Sequence, residues 1–203
     1  MENKRKMLPE GVELELWVDR SHYLEGRLDT MIQNLWQGAL LVFLLLSLVL
    51  RMKVALWVIV GIPVTFFGAF FLMPFGPWPV TINMISLFGF IIVLGIVVDD
   101  AIIIGESVYT KIRADGHTLD NVVRGAKLVA VPATFGVLTT IAAFTPMLFV
   151  GGIAAPFFEA LSVVVVLCLL FSLVESKLIL PAHLVHAKLD PVDEEDLFNP
   201  KRA

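Results

Sequence analysis

Five apolar stretches of twenty or more residues, roughly 31–50, 54–73, 80–106, 127–150 and 157–180, constrain this chain more than anything else in it. A segment of about 20 apolar residues spans the hydrocarbon core of a bilayer as a helix, because in lipid the backbone must satisfy its own hydrogen bonds. The totals agree. Hydrophobic residues make up 58% of the 203 positions and charged residues 17%, against about 45–50% and 25% in ordinary soluble domains. The expected fold is all-α and polytopic: five transmembrane helices over 31–180, a lead-in over 1–30 and a polar tail over 181–203.

The lead-in has its own pattern. Val12, Leu14, Leu16 and Val18 alternate with Glu13 and Glu15, the period of a half-buried strand. Asp19 and Ser21 then offer cap oxygens for a helix running from His22 into the first span. The connections between spans differ in charge. Arg51 and Lys53 mark the first, and Lys111, Arg113, Arg124 and Lys127 the third; Lys177, Lys188, Lys201 and Arg202 follow the last. PFGPWP (74–79) and GGIAAP (151–156) carry no charge. The positive-inside rule makes the charged side cytoplasmic, and Trp36, Trp57 and Trp78 fall near span ends, where an aromatic belt belongs. An odd number of spans then places the strand on the outer side with no leader to carry it there. The expectation is a piece of a longer protein whose upstream part supplies a first transmembrane helix.

Asp99 and Asp100 stand inside GIVVDDAIIIGE (95–106), among the most apolar runs of the chain. An Asp at a helix centre costs about 2.5–3.5 kcal/mol on the insertion scale, and each large apolar residue returns about 0.3–0.6. Two such acids offset most of the gain of one span, so a face carrying both is expected to turn toward protein or water. A metal or diphosphate site of the DDxxD kind needs a third acid where Ile103 stands, and acid hydrolysis needs acids facing one another from different helices. Reversible protonation remains: burial and mutual repulsion favour the neutral acid and a nearby cation favours the ionised one. The spans hold no Lys, Arg or His in their interiors, with Lys53, Lys127 and Lys177 read at span ends, so the counter-charge is expected from another segment. Glu106, seven residues after Asp99, lies on the same side of the helix near its cytoplasmic end and reads equally as an exit step for the proton or as an interfacial acid.

Other features carry blander readings. Ala133, Gly136, Thr140 and Ala143 recur at helical spacing and suggest a close-packing face. Phe66, Phe67, Phe70 and Phe71 read as lipid-facing bulk, and His183 and His186 as a solvated face. Pro63, Pro132 and Pro146 are ordinary in membrane helices. Cys168 is the single cysteine and can form no intrachain disulfide. No cofactor or metal site is expected. The 15 Lys and Arg form no basic stripe, which argues against nucleic acid.

VTINMISLFGFIIVLGIVVDDAIIIGESV (80–108) resembles the fourth transmembrane helix of the resistance-nodulation-division exporters, in particular the AcrB-like hydrophobe/amphiphile efflux pumps. LPEGVELELWVDRS resembles the end of their periplasmic porter region, GIPVTFFGAF helix three, FTPMLFVGG the end of helix five, and ESKLILPAHL the exit from helix six. The resemblance implies helices two to six of a proton-driven antiporter of the bacterial inner membrane, a transporter and not an enzyme. Asp99 and Asp100 are then the proton-relay acids. Their implied partner is an intramembrane lysine of the C-terminal half. A homotrimer, a periplasmic adaptor and an outer-membrane channel are implied as well. Two alternatives share the architecture, a sterol-sensing lipid-binding module and a proton-driven protein-export subunit. The first has no need of two buried acids, and the LPEGVELELWVDRS lead-in disfavours the second.

Overall fold

The computed structural model describes residues 52–187, together with positions 26, 29–30, 32–34, 36–41 and 44. The expected strand at 12–18, part of the first expected span and the tail from 188 onward lie outside the described residues. All described residues of that first span are helical. Beyond it come α1 (Met52–Leu72), α2 (Met84–Asp115), α3 (Leu119–Phe144), α4 (Ala155–Val174) and the short α5 (Leu180–His186). Single 3-10 turns follow α1 (Met73–Phe75) and α3 (Thr145–Phe149), and one π turn (Glu175–Ile179) joins α4 to α5.

The chain is thus an all-α, polytopic membrane protein. Among the described residues four helical stretches are long and apolar enough to cross a bilayer: Val54–Phe75, Met84–Asp115, Leu119–Phe149 and Ala155–His186. Three have 31 or 32 residues, about 48 Å at 1.5 Å per residue. That exceeds the ~30 Å hydrocarbon core, so they project beyond it. Their bounds differ from the apolar runs for local reasons. After the 3-10 turn at Met73–Phe75 the chain stays non-helical from Gly76 to Asn83, which caps α2: its Oδ1 accepts from the backbone N–H of Ile85 (2.8 Å) and Ser86 (3.0 Å), while Ser86 Oγ accepts from the Asn83 N–H (2.8 Å). Asn83→Ala removes this box and is expected to cost about 1 kcal/mol in reversible unfolding in mixed micelles.

At its other end α2 continues past the apolar run to Asp115, because Lys111 pairs with Asp115 one turn on and helix outside the lipid needs no apolar side chains. Gly116 (φ 93°) then reverses the chain. Thr118 caps α3, and Asn121 Nδ2 donates to the carbonyls of Asp115 (3.0 Å) and Gly116 (2.9 Å).

The connections sort into two ends of the bundle. Trp78, in the loop after α1, lies edge-on to Phe149 after α3, with ring centroids 5.5 Å apart. At the opposite end His117 Nε2 is hydrogen-bonded to the Leu184 carbonyl (3.0 Å), and Trp57 lies against His183 at 4.4 Å. His183 is therefore half-buried against an indole and not simply solvated.

Helix α2 is the hub, packed against α1, α3 and α4. Phe90 is fully buried and meets Phe66 (5.0 Å) and Phe70 (4.2 Å) from α1, whereas Phe67 and Phe71 are exposed. The expected lipid-facing phenylalanine patch is thus split, half of it core. The close approach of α2 and α3 occurs at Gly125, where a Cβ would lie 2.7 Å from Val108 Cα. Of the expected small-residue face on α3 only Ala133 is buried; Gly136 and Ala143 are exposed, and a Cβ at Gly136 would meet nothing within 4 Å.

Candidate functional site

Adjacent residues of a helix point about 100° apart, and in α2 that angle separates the two acids. Asp100 is 5% exposed and faces α4. Its Oδ2 accepts from the Ser176 hydroxyl at 2.9 Å and lies 3.4 Å from Ser172 Oγ. Ser172 and Ser176 are one turn apart, so both reach the same carboxylate from one face of α4 and its π turn. Asp99 is exposed. It belongs to an uncovered stripe with Phe88, Ile92, Gly95, Ile103, Glu106, Thr110 and Arg113, a spacing of three or four residues that follows one side of α2. The structure therefore places Asp99 and Glu106 on one side, as their spacing indicates, and Asp100 on another. Glu106 lines a groove with Ile103, Ser107, Thr110, Lys111, Leu128 and Val129.

The surroundings of Asp100 hold charges that the sequence pattern assigns elsewhere. The apolar runs put Lys177 at a span end, yet helix continues nine residues beyond it to His186. Lys177 is half-buried, follows Ser176, the residue that bonds Asp100, and its ammonium donates to Thr134 Oγ1 of α3. A cation contributed by this chain therefore lies near the buried acid. Glu175, next to Ser176, is 2% exposed. Among the described residues its Oε1 has no hydrogen-bond partner, and it lies where Gly61 of α1 has no side chain: a Cβ there would be 2.0 Å from that oxygen.

Pro181 accounts for the local backbone. Without an N–H, proline cannot bond the carbonyl four residues back, and its ring crowds that carbonyl. The helix widens to a π turn over Glu175–Ile179 and resumes as α5. Such turns inside α-helices often occur at functional sites. Here the turn sets Ser176 against Asp100, Glu175 against Gly61 of α1 and Lys177 against Thr134 of α3.

Sequence reasoning missed Ser172, Ser176 and Glu175 as site residues. The signal was available in FSLVESK (171–177), where two hydroxyls at helical spacing and an acid interrupt an apolar run. Among the described residues no group of three or more His, Cys, Asp or Glu is placed to hold a metal. What the arrangement offers chemically is a buried carboxylate bonded by hydroxyl donors, with a second buried acid and an ammonium on the residues flanking Ser176.

Compared with known proteins, residues 1–198 match the AcrB/AcrD/AcrF family. The chain is similar to the toluene efflux pump membrane transporter TtgE of Pseudomonas putida, 28% identical over 184 residues that make up 90% of this chain and 17% of TtgE. It is 27% identical over 190 residues to the multidrug export protein AcrF of Escherichia coli, covering 92% of this chain and 18% of AcrF. With the multidrug resistance protein MdtC of Escherichia coli it shares 30% identity over 174 residues, 83% of this chain and 17% of MdtC. The chain thus spans less than a fifth of the length of these curated relatives.

Proposed function

We propose that this chain, which belongs to the AcrB/AcrD/AcrF family, supplies the proton-relay acids of the membrane domain of a proton-driven efflux antiporter. Its relatives are transporters named for toluene, solvent and multidrug export, and hydrophobic or amphiphilic compounds are the substrate class proposed here. Asp100 is the principal proton carrier. Asp99 and Glu106, on the neighbouring face of α2, line the path by which protons reach and leave it.

The observation that carries this reading is Asp100 itself, a carboxylate 5% exposed midway along a membrane-crossing helix. An acid that serves only to tie helices together is costly where a serine or asparagine would serve. An acid that alternates between neutral and ionised forms can bias two packings of α2 against α4. When protonated it no longer attracts Lys177 or the lysine proposed on the C-terminal half of the full transporter, and the contact between the helices changes. The setting proposed is the bacterial inner membrane, in a homotrimer working with a periplasmic adaptor and an outer-membrane channel. Residues 1–30 are assigned to the end of the porter region, and the tail to the cytoplasm.

The test is full-length transporter reconstituted in vesicles with an imposed pH gradient. Substrate movement is expected against its own gradient only while protons flow the other way. Equal transport after the pH gradient and membrane potential are dissipated would rule the mechanism out.

A further inference from the structure

Outside the pair singled out by sequence, the most unusual buried group is Glu175. It is 2% exposed, inside a membrane-crossing helix, with Oε1 unpartnered among the described residues. Buried polar atoms are nearly always hydrogen-bonded, so an exception calls for an explanation. A second exception faces the same region. Gly61, Thr65 and Gly68 lie along one side of α1, and both glycines meet residues of the α4 stretch, Gly61 at Glu175 and Gly68 at Phe171. Thr65, between them, is fully buried, and among the described residues its Oγ1 also lacks a partner. The α1/α4 seam therefore contains two unsatisfied oxygens at the depth where Ser172 and Ser176 bond Asp100.

We propose that Glu175 is a second proton-binding acid of this membrane domain, forming with Asp100 a buried pair that holds one proton between them. The inference deepens the proposed function and rests on it. Ser176, the residue after Glu175, donates to Asp100 Oδ2 at 2.9 Å, so the two buried acids belong to one helix junction. Among the described residues, the charged groups at this junction are these two acids and Lys177; Asp99, next to Asp100 in sequence, is exposed on the uncovered side of α2. With both acids ionised, two negative charges share a dry site with one ammonium. With one proton bound, the remaining negative charge balances Lys177. Gaining or losing that proton changes the charge at the α1/α2/α4 junction by one unit, and no other bond is made or broken. The unpartnered Oε1 is then the atom that carries or shares the proton.

The experiment is infrared difference spectroscopy of the full-length transporter in lipid vesicles across a pH titration, reading the carbonyl stretch of protonated buried carboxyls. The wild type is expected to show two coupled bands. Glu175→Gln should delete one, and the pH at which the Asp100 band disappears should move toward acid by about one unit, a tenfold change in proton affinity. Glu175→Asp, which keeps the acid, should retain both bands. A purely structural glutamate predicts an Asp100 titration that Glu175→Gln leaves unmoved, and that result overturns the proposal, as does a Glu175 band absent at every pH. If Glu175→Gln does not fold, Gly61→Ala, whose Cβ would displace Oε1, must move the Asp100 titration measurably in either direction, and an unmoved titration overturns the proposal. Failure of the wider reading is distinct. Asp100→Asn that leaves full-length transport intact removes the antiport mechanism whatever the spectra show.

Discussion

Asp100→Asn in the full-length transporter is expected to reduce efflux to the level of cells lacking the pump, with protein still present in the membrane. The substitution keeps the volume and the ability to accept from Ser176, which bonds Asp100 at 2.9 Å, so packing of α2 on α4 survives. What it removes is the proton. Each proton carried inward through the membrane potential supplies about 2.3 kcal/mol per 100 mV, enough for roughly a fortyfold concentration ratio of a neutral substrate at 1.4 kcal/mol per decade. Without a proton carrier that ratio falls to unity. Asp99→Asn should be milder, since Asp99 is exposed on the uncovered stripe and retains contact with water or with another segment. Drug susceptibility at equal membrane abundance measures both. Resistance at wild-type level in Asp100→Asn would contradict the assignment.

Gly125→Leu is expected to produce the largest loss of stability of any single change at the α2/α3 contact. A Cβ at this position would lie 2.7 Å from Val108 Cα and 3.1 Å from the Ser107 carbonyl. Both are backbone, so no flexible side chain can yield. The two helices must separate, and the Ser107 hydroxyl loses its 2.7 Å bond to the Gly125 carbonyl. Overpacking of this kind costs about 1–3 kcal/mol, with the lost hydrogen bond adding about 1 kcal/mol. Reversible unfolding in mixed micelles measures the loss, and a change below about 0.5 kcal/mol would show that the helices do not meet there. Gly136→Leu provides the contrast, since a Cβ there meets nothing within 4 Å.

Membrane-crossing helices were legible because apolar length is a property of the chain alone. The two ends of the bundle were legible from charge, and Trp78 against Phe149 and His117 against Leu184 sort the connections in the same way. Partner choice between helices was not legible. The sequence predicts that Asp99 and Asp100 differ by about 100° in direction, but which one turns inward depends on where α4 sits, and no local pattern encodes that. Phe66 and Phe67 diverge for the same reason, one buried and the other exposed. Pro181 misleads in a different way. It reads as the exit from a helix, whereas a π turn absorbs it and helix continues to His186. That continuation brings Lys177 out of its expected place at a span end and into the neighbourhood of Asp100.

The central claim is that protons driving transport pass through Asp100. The most direct measurement is substrate-elicited proton influx into vesicles containing the full-length transporter, recorded with an internal pH indicator for the wild type and Asp100→Asn. Wild-type transporter should acidify the vesicle lumen when substrate is added, and Asp100→Asn should give no acidification above protein-free vesicles. Undiminished substrate-elicited influx in Asp100→Asn would contradict the account.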